Sequence, residues 1–301
     1  MTAAGPWPRC SYVADAAGDP REGTAPPAEQ WFLVEHPGPW GRVPLTQSGI
    51  DPAAVAAISA WAGVVRGRVV LVRRPGRATG SGPRRWFRVD SRPGHESVRT
   101  GTFSAESELV AAVEAAGEPY PDPLFPICTH GRHDTCCAVR GRPVAAALAA
   151  AEPETTWECS HIGGCRFAPA VVLLPHGFVL GGVPAQDAPG IASAYRDGVL
   201  DPRYVRGRSA FPPAVQAAQQ HARAATGAVG VDALRPVHVA AEAHPDEPGT
   251  TIWRVELADP DCSVVLRERT VPAGRPLTCA ATAPGRMRVF DLVKITTTGK
   301  G

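Results

Sequence analysis

The segments CTHGRHDTCCAVRG at 128–141 and CSHIGGCRFAP at 159–169 bring together Cys128, His130, His133, Cys136, Cys137, Cys159, His161 and Cys165. Five of the chain's eight cysteines and three of its nine histidines fall in this one region. A lone buried cysteine behaves as a small hydrophobe. So many on glycine-containing loops point instead to metal or redox chemistry. Zinc takes thiolate and imidazole ligands, but its structural sites usually show C-x2–4-C pairs. Here seven residues separate Cys128 from Cys136 and eight separate it from Cys137. A [2Fe–2S] cluster takes four ligands and accepts histidine in place of cysteine.

Two other chemistries fit less well. A dithiol oxidoreductase relies on a low-pKa thiolate in C-x-x-C, and the chain has no such motif. A bridge between the adjacent Cys136 and Cys137 would be strained. Glycoside hydrolysis needs two facing carboxylates, and Asp134, Glu152, Glu154 and Glu158 form no evident pair.

The elements around these loops must position them. LFPIC reads as a strand ending at Cys128, and GRPVAAALAAA as a helix that starts just after Cys136 and Cys137. Asp134 caps the turn between them, and His130 and His133 orient the loop by hydrogen bonding. TTWECS and FAPAVVLLP read as strands flanking the IGG loop, where glycine lets backbone approach a bound object. If the first of these strands continues, Cys159 and His161 share a face. GFVLGGV is a further strand and APGIASAYRDG a helix closed by glycine. This unit reads β-α-β-β-β-α.

Upstream, residues 1–29 read as an irregular Pro/Gly/Ala lead-in. QWFLVEH, a helix over DPAAVAAISAWAG capped by Asp51, RVVLVRR, RWFRVD and a helix over 104–116 capped by Ser104 then read β-α-β-β-α. GEPYPDP at 117–123 is the expected linker. The similar element order suggests a degenerate duplication. Beyond 211, PPAVQAAQQHARAAT is a helix closed by Gly227, followed by four strand-like runs. The glycine-rich stretch at 76–83 lacks a P-loop lysine. Cys10, Cys262 and Cys279 read as isolated buried thiols, and Trp31, Trp40, Trp61, Trp86, Trp157 and Trp253 as core.

The pattern C-T-H-G-x-x-D-x-x-C, then W-x-x-S-H-x-G-G-x-R-F-A-P, then a hydrophobic strand ending P-x-G, resembles the sucrase/ferredoxin-like family over about residues 124–183. EHPGPWG at 35–41 resembles it more loosely. Those proteins resemble thioredoxin-like [2Fe–2S] ferredoxins. The resemblance implies an α+β fold of tandem thioredoxin-like α/β units: a degenerate, cluster-free unit over 1–120 and a cluster-bearing unit over 121–210. A helix plus small β-rich extension follows over 211–301. It implies ligation by a cysteine pair on the first loop and an H-x3-H pair on the second. This chain departs from the pattern at 165, where cysteine replaces the second histidine. The implied ligands are Cys128, Cys137, His161 and Cys165, with Cys136 and Cys159 in reserve.

The implied function is single-electron transfer through one [2Fe–2S] cluster, with a separate reductase or acceptor protein as redox partner. This makes the chain a carrier rather than an enzyme with its own substrate. The alternative is a zinc-binding structural module or a thiol redox protein on the same scaffold. Histidine ligation raises the cluster potential, and a cation at Arg166 would favour the reduced, more negative state.

Composition agrees. Lys+Arg at 31 nearly balances Asp+Glu at 29, which argues against phosphate-driven nucleic-acid binding. The N-terminus shows no signal-peptide pattern, and the longest mostly apolar stretch, 52–65, is short of a membrane span. The expectation is a cytoplasmic protein with reduced thiols.

Overall fold

The computed structural model describes residues 8–76 and 82–297. The first seven residues of the lead-in and the middle of the 76–83 stretch lie outside it. Among the described residues the fold is mixed α/β, with seven α-helices and two sheets.

Helix α1 (Cys10–Ala16) forms where the composition predicted irregular chain. The Pro and Gly residues flank it rather than interrupt it, and it buries Cys10, Ser11 and Ala14. Strand β1 (Gln30–Glu35) leads through α2 (Pro44–Gln47) to α3 (Pro52–Val64), whose first amides donate to Asp51. Strand β2 (Gly67–Arg73) returns parallel to β1. The hairpin of β3 (Arg84–Asp90) and β4 (Ser97–Phe103) follows, with β3 antiparallel to β1. Strand β4 was not expected, because SVRTGTF buries only Val98 and Phe103 and carries little apolar signal.

The helix predicted over 104–116 shrinks to a 3-10 turn, Glu106–Glu108, and α4 (Leu109–Ala112). Ser104 does not cap it. The Glu108 carboxylate accepts from the amides of Ser104 and Ala105, while Glu106 is drawn to Arg84 and the Asp51 amide. The two-residue strand β5 (Glu118–Pro119) pairs with β4 inside the expected linker.

The next stretch repeats the arrangement. β6 (Phe125–Cys128) crosses through α5 (Thr135–Ala151) to the parallel β7 (Thr156–Cys159). β8 (Ala170–Leu173) and β9 (Phe178–Gly181) form a hairpin beside β6, followed by α6 (Ala188–Arg196) and β10 (Val205–Arg208). Helix α5 begins a turn and a half earlier than predicted, so Cys136 and Cys137 lie in its first turn. Asp134 sets that start by accepting the Cys136 amide at 2.8 Å.

All ten strands join one sheet in the order β10-β9-β8-β6-β7-β2-β1-β3-β4-β5. The seam is the antiparallel pairing of β2 with β7, where Val72 faces Cys159 and Arg73 bridges Glu158 at 2.8 Å. Side chains alternate across the sheet. Phe32, Val34 and Leu71 pack with Ile58 of α3 on one face, and Phe125, Ile127 and Leu173 pack with Leu148 of α5 there too. Trp31, Leu33, Val70, Val72, Trp157, Cys159 and Val172 share a core on the opposite face, which also receives Cys10, Cys128, Cys136, Cys137 and Cys165.

Helix α7 (Pro213–Thr226) ends at Gly227 and packs on a meander of β11 (Arg235–Ala243), β12 (Thr251–Ala258), β13 (Cys262–Pro272) and β14 (Arg286–Thr297). No helix among the described residues is long and apolar enough to cross a membrane.

Candidate metal centre

Two loops leave the same ends of the parallel strands β6 and β7. The first runs from Cys128 to the N-terminus of α5. That helix lies so close to β6 that a Cβ on Gly141 would collide with the Cys128 carbonyl oxygen. The second runs from Cys159 through Ser160, which exchanges hydrogen bonds with the Leu71 backbone at 2.8 and 3.0 Å. It passes His161 and turns back at Gly163 and Gly164 into the 3-10 turn Cys165–Phe167. Gly164 has φ +74°, and a Cβ there would strike the Arg206 guanidinium. Only glycine meets both demands.

The loops bring donors together. The Sγ atoms of Cys128 and Cys137 and a ring nitrogen of His161 lie within 4.8 Å of one another. Cys165 Sγ is 3.7 Å from His161 Nδ1 and 3.9 Å from Nε2. It also groups with Cys137 and Asp134. The cysteines are buried, and His161 is half-buried. Its imidazole stacks on His133, with centroids 3.6 Å apart and planes 15° apart. His133 reaches the Arg42 carbonyl at 3.5 Å, and His130 packs edge-on against Trp40.

Protons in this group are shared. A hydrogen bond from Cys137 holds the Cys128 thiol well below its ordinary range against the cost of burial, and His161 assists. Cys165 is lowered for the same reasons. Cys137 is raised because its proton is held between Cys128 and Cys165. Burial pulls His161 down, but hydrogen bonds to Cys128 and Cys165 outweigh it and lift the imidazole to about 9. A thiophilic cation held here would have to displace the Cys137 and His161 protons, since metal ligands bind deprotonated.

The other sequence candidates go elsewhere. Cys159 ends β7 directly opposite Cys128, fully buried, and burial holds its thiol well above the ordinary range. Because β7 stops at Cys159, the alternation that would place His161 on the same face is broken. Cys136 turns away from Cys137 to meet Cys10 at 3.7 Å and Cys279 at 3.3 Å. Of the three cysteines expected to be isolated, Cys10 and Cys279 are therefore clustered, whereas Cys262 lies in the core of α7 and the meander with no other cysteine beside it among the described residues.

A buried arginine, Arg206, and a half-buried one, Arg68, escaped the sequence reading. Arg206 of β10 is 1% exposed and donates to the Gly163 carbonyl at 2.9 Å, to Thr24 Oγ1 at 3.1 Å and to the Thr24 carbonyl. Burial pulls it down to about 9, with Arg166 and Arg68 adding repulsion. Arg68 is lowered by burial and partly restored by Cys159 and Cys128. Arg166 is no ordinary surface residue: it pairs with buried Asp19 at 3.4 Å, as does Arg275.

No curated protein and no solved structure matches the chain. The sucrase/ferredoxin-like family model matches residues 22–207, more than half of the length, and the chain belongs to that family.

Proposed function

We propose that the protein is a single-electron carrier holding one [2Fe–2S] cluster through Cys128, Cys137, Cys165 and His161. The observation that carries this reading is the convergence of three thiols and one imidazole from two loops at one end of the sheet. The donor set fits, because such clusters bind thiolate and accept histidine on an iron. When bound, the group exchanges one electron. The residues around it do the rest. Cys128, Cys137 and Cys165 are shielded from bulk water, Arg206 and Arg68 offset thiolate charge, and the stacked His161–His133 pair opens toward the surface. A redox partner protein, a reductase or an acceptor enzyme, docks over that edge. The setting is the reducing cytoplasm.

The scaffold reading goes with it. Strand orders β2-β1-β3-β4 and β7-β6-β8-β9 repeat the same parallel pair and antiparallel hairpin on either side of the seam. This repeat supports tandem thioredoxin-like units over 1–120 and 121–210, with the cluster in the second and an extension over 211–301.

One observation favours a second reading. Cys128, Cys137 and His161 lie close enough for a single ion, Cys165 stands beside Cys137 and His161, and three cysteines with one histidine are also a structural zinc set. Iron, sulfide and zinc analysis of anaerobically purified protein separates the two. Two irons and two sulfides per chain support the carrier. One zinc that depends on His161, with no sulfide after reconstitution, makes this centre a zinc module.

A further inference from the structure

Beside this centre lies a second group that the electron-carrier reading does not use. Cys10 comes from α1, Asp134 and Cys136 from the start of α5, and Cys279 from the loop between β13 and β14. Their donor atoms all lie within 4.8 Å of one another. The three sulfurs form a nearly equilateral triangle with sides of 3.3, 3.5 and 3.7 Å. The Asp134 oxygens stand 3.7 and 3.8 Å from the Cys10 sulfur. We propose that Cys10, Cys136, Cys279 and Asp134 form a second metal site that takes one zinc ion and clips three distant parts of the chain together.

The distances suit that ion. Zinc–sulfur bonds of about 2.3 Å in a tetrahedron place the sulfurs about 3.8 Å apart, close to the spacing here. The carboxylate is already oriented: one Asp134 oxygen accepts the Cys136 amide and the other the Cys279 amide, each at 2.8 Å. Outer hydrogen bonds of this kind fix metal-binding carboxylates. Asp134 is 2% exposed and makes no ion pair among the described residues. Buried carboxylates are normally paired with a cation or coordinate a metal. A disulfide accounts for less of this, since it would join two sulfurs and leave the third thiol and the carboxylate without a role.

Zinc binding balances as follows. The three thiols release three protons, no electron moves, and the ion with three thiolates and one carboxylate carries a net charge of −2. Cys10 and Cys279 both lie outside residues 22–207, so the clip fastens the flanking segments onto the family core. The ring it closes is long, with Cys10 and Cys279 separated by 269 positions.

The test is zinc content of the full-length protein after incubation with one equivalent of zinc and desalting, for the wild type, Cys10→Ser, Cys279→Ser and His161→Ala. One zinc per chain is expected in the wild type and His161→Ala, with at least a tenfold loss in Cys10→Ser and Cys279→Ser. Zinc that tracks His161 instead, or a wild type that holds none, overturns the proposal and leaves the electron-carrier reading to its own iron and sulfide test. Should the cysteine variants not fold, alkylation of the wild type decides. Cys279, the most exposed of the three, is expected to react with iodoacetamide only after zinc is chelated. Equal labelling before and after chelation, or a mapped Cys136–Cys279 disulfide, contradicts the site.

Discussion

Cys136 and Cys137 are consecutive residues whose sulfurs belong to different groups. Successive side chains on a helix diverge by about 100°, and the Asp134 cap fixes where that rotation begins. Cys137 is thereby aimed at Cys128, His161 and Cys165, and Cys136 at Cys10 and Cys279. The two substitutions should therefore behave differently. Cys137→Ser is expected to lower bound iron at least tenfold and remove visible absorbance. Cys136→Ser is expected to retain iron and lose thermal stability. Equal iron loss in both would contradict the division.

In the proposed centre, His161 is the ligand expected to set the potential. Replacing imidazole with thiolate adds negative charge at the metal, and two-histidine sites sit hundreds of millivolts above all-cysteine ones. His161→Cys is expected to lower the midpoint by on the order of 100 mV or more. A ligating imidazole keeps one nitrogen that can titrate. The wild-type midpoint should therefore fall as pH rises past that nitrogen's pKa, approaching about 59 mV per pH unit, and the variant should lose the slope. Redox titrations at several pH values read both effects.

The Gly164–Arg206 contact is a stability element of the second loop. An alanine at 164 must hold φ near +74° and displace a buried guanidinium that bonds Gly163 and Thr24. Such strain costs about 1–3 kcal/mol. Gly164→Ala is expected to lower the melting temperature by several degrees. Gly190→Ala, in helix α6 with open space around it, should be neutral or stabilising.

His176 predicts a pH dependence away from the centre. The Tyr195 hydroxyl accepts the His176 amide at 3.2 Å and lies 2.6 Å from Nδ1, a pairing that suits the neutral ring. Burial lowers the His176 pKa, and Arg208 adds to it. The unfolded chain then binds more protons than the folded one below the ordinary histidine value of about 6.5. This contribution is complete above that value and is lost as pH falls through it toward the folded pKa. Denaturant midpoints from pH 7.5 down to 5 should decline, and His176→Asn should flatten the decline.

Legibility in the sequence followed chemical locality. Residue types in two short segments, whose strands pair in parallel, nominated eight candidates, and the family resemblance implied Cys128, Cys137, His161 and Cys165 among them. Asp134 was legible as a cap, because a cap acts within two residues. Arg206 was not, because an arginine in VRGR looks like a surface residue until the Gly163–Gly164 turn packs onto it. Cys10 and Cys279 were read as isolated because nothing local joins them; only the folding of α1 and the β13–β14 loop against α5 does. The short α4 and the unforeseen β4 share a cause. In both, side chains from elsewhere, Glu106 with Asp51 and Arg84, and Trp86 over Gly101, override local propensity.

The most direct measurement is electron paramagnetic resonance of the dithionite-reduced protein, with nuclear couplings resolved on samples carrying nitrogen-15 histidine. The account predicts a spin-one-half signal, with coupling to one coordinated imidazole that disappears in His161→Cys while the signal remains. A protein with iron and sulfide whose signal shows no histidine coupling, or one with no signal and zinc at His161, would contradict it.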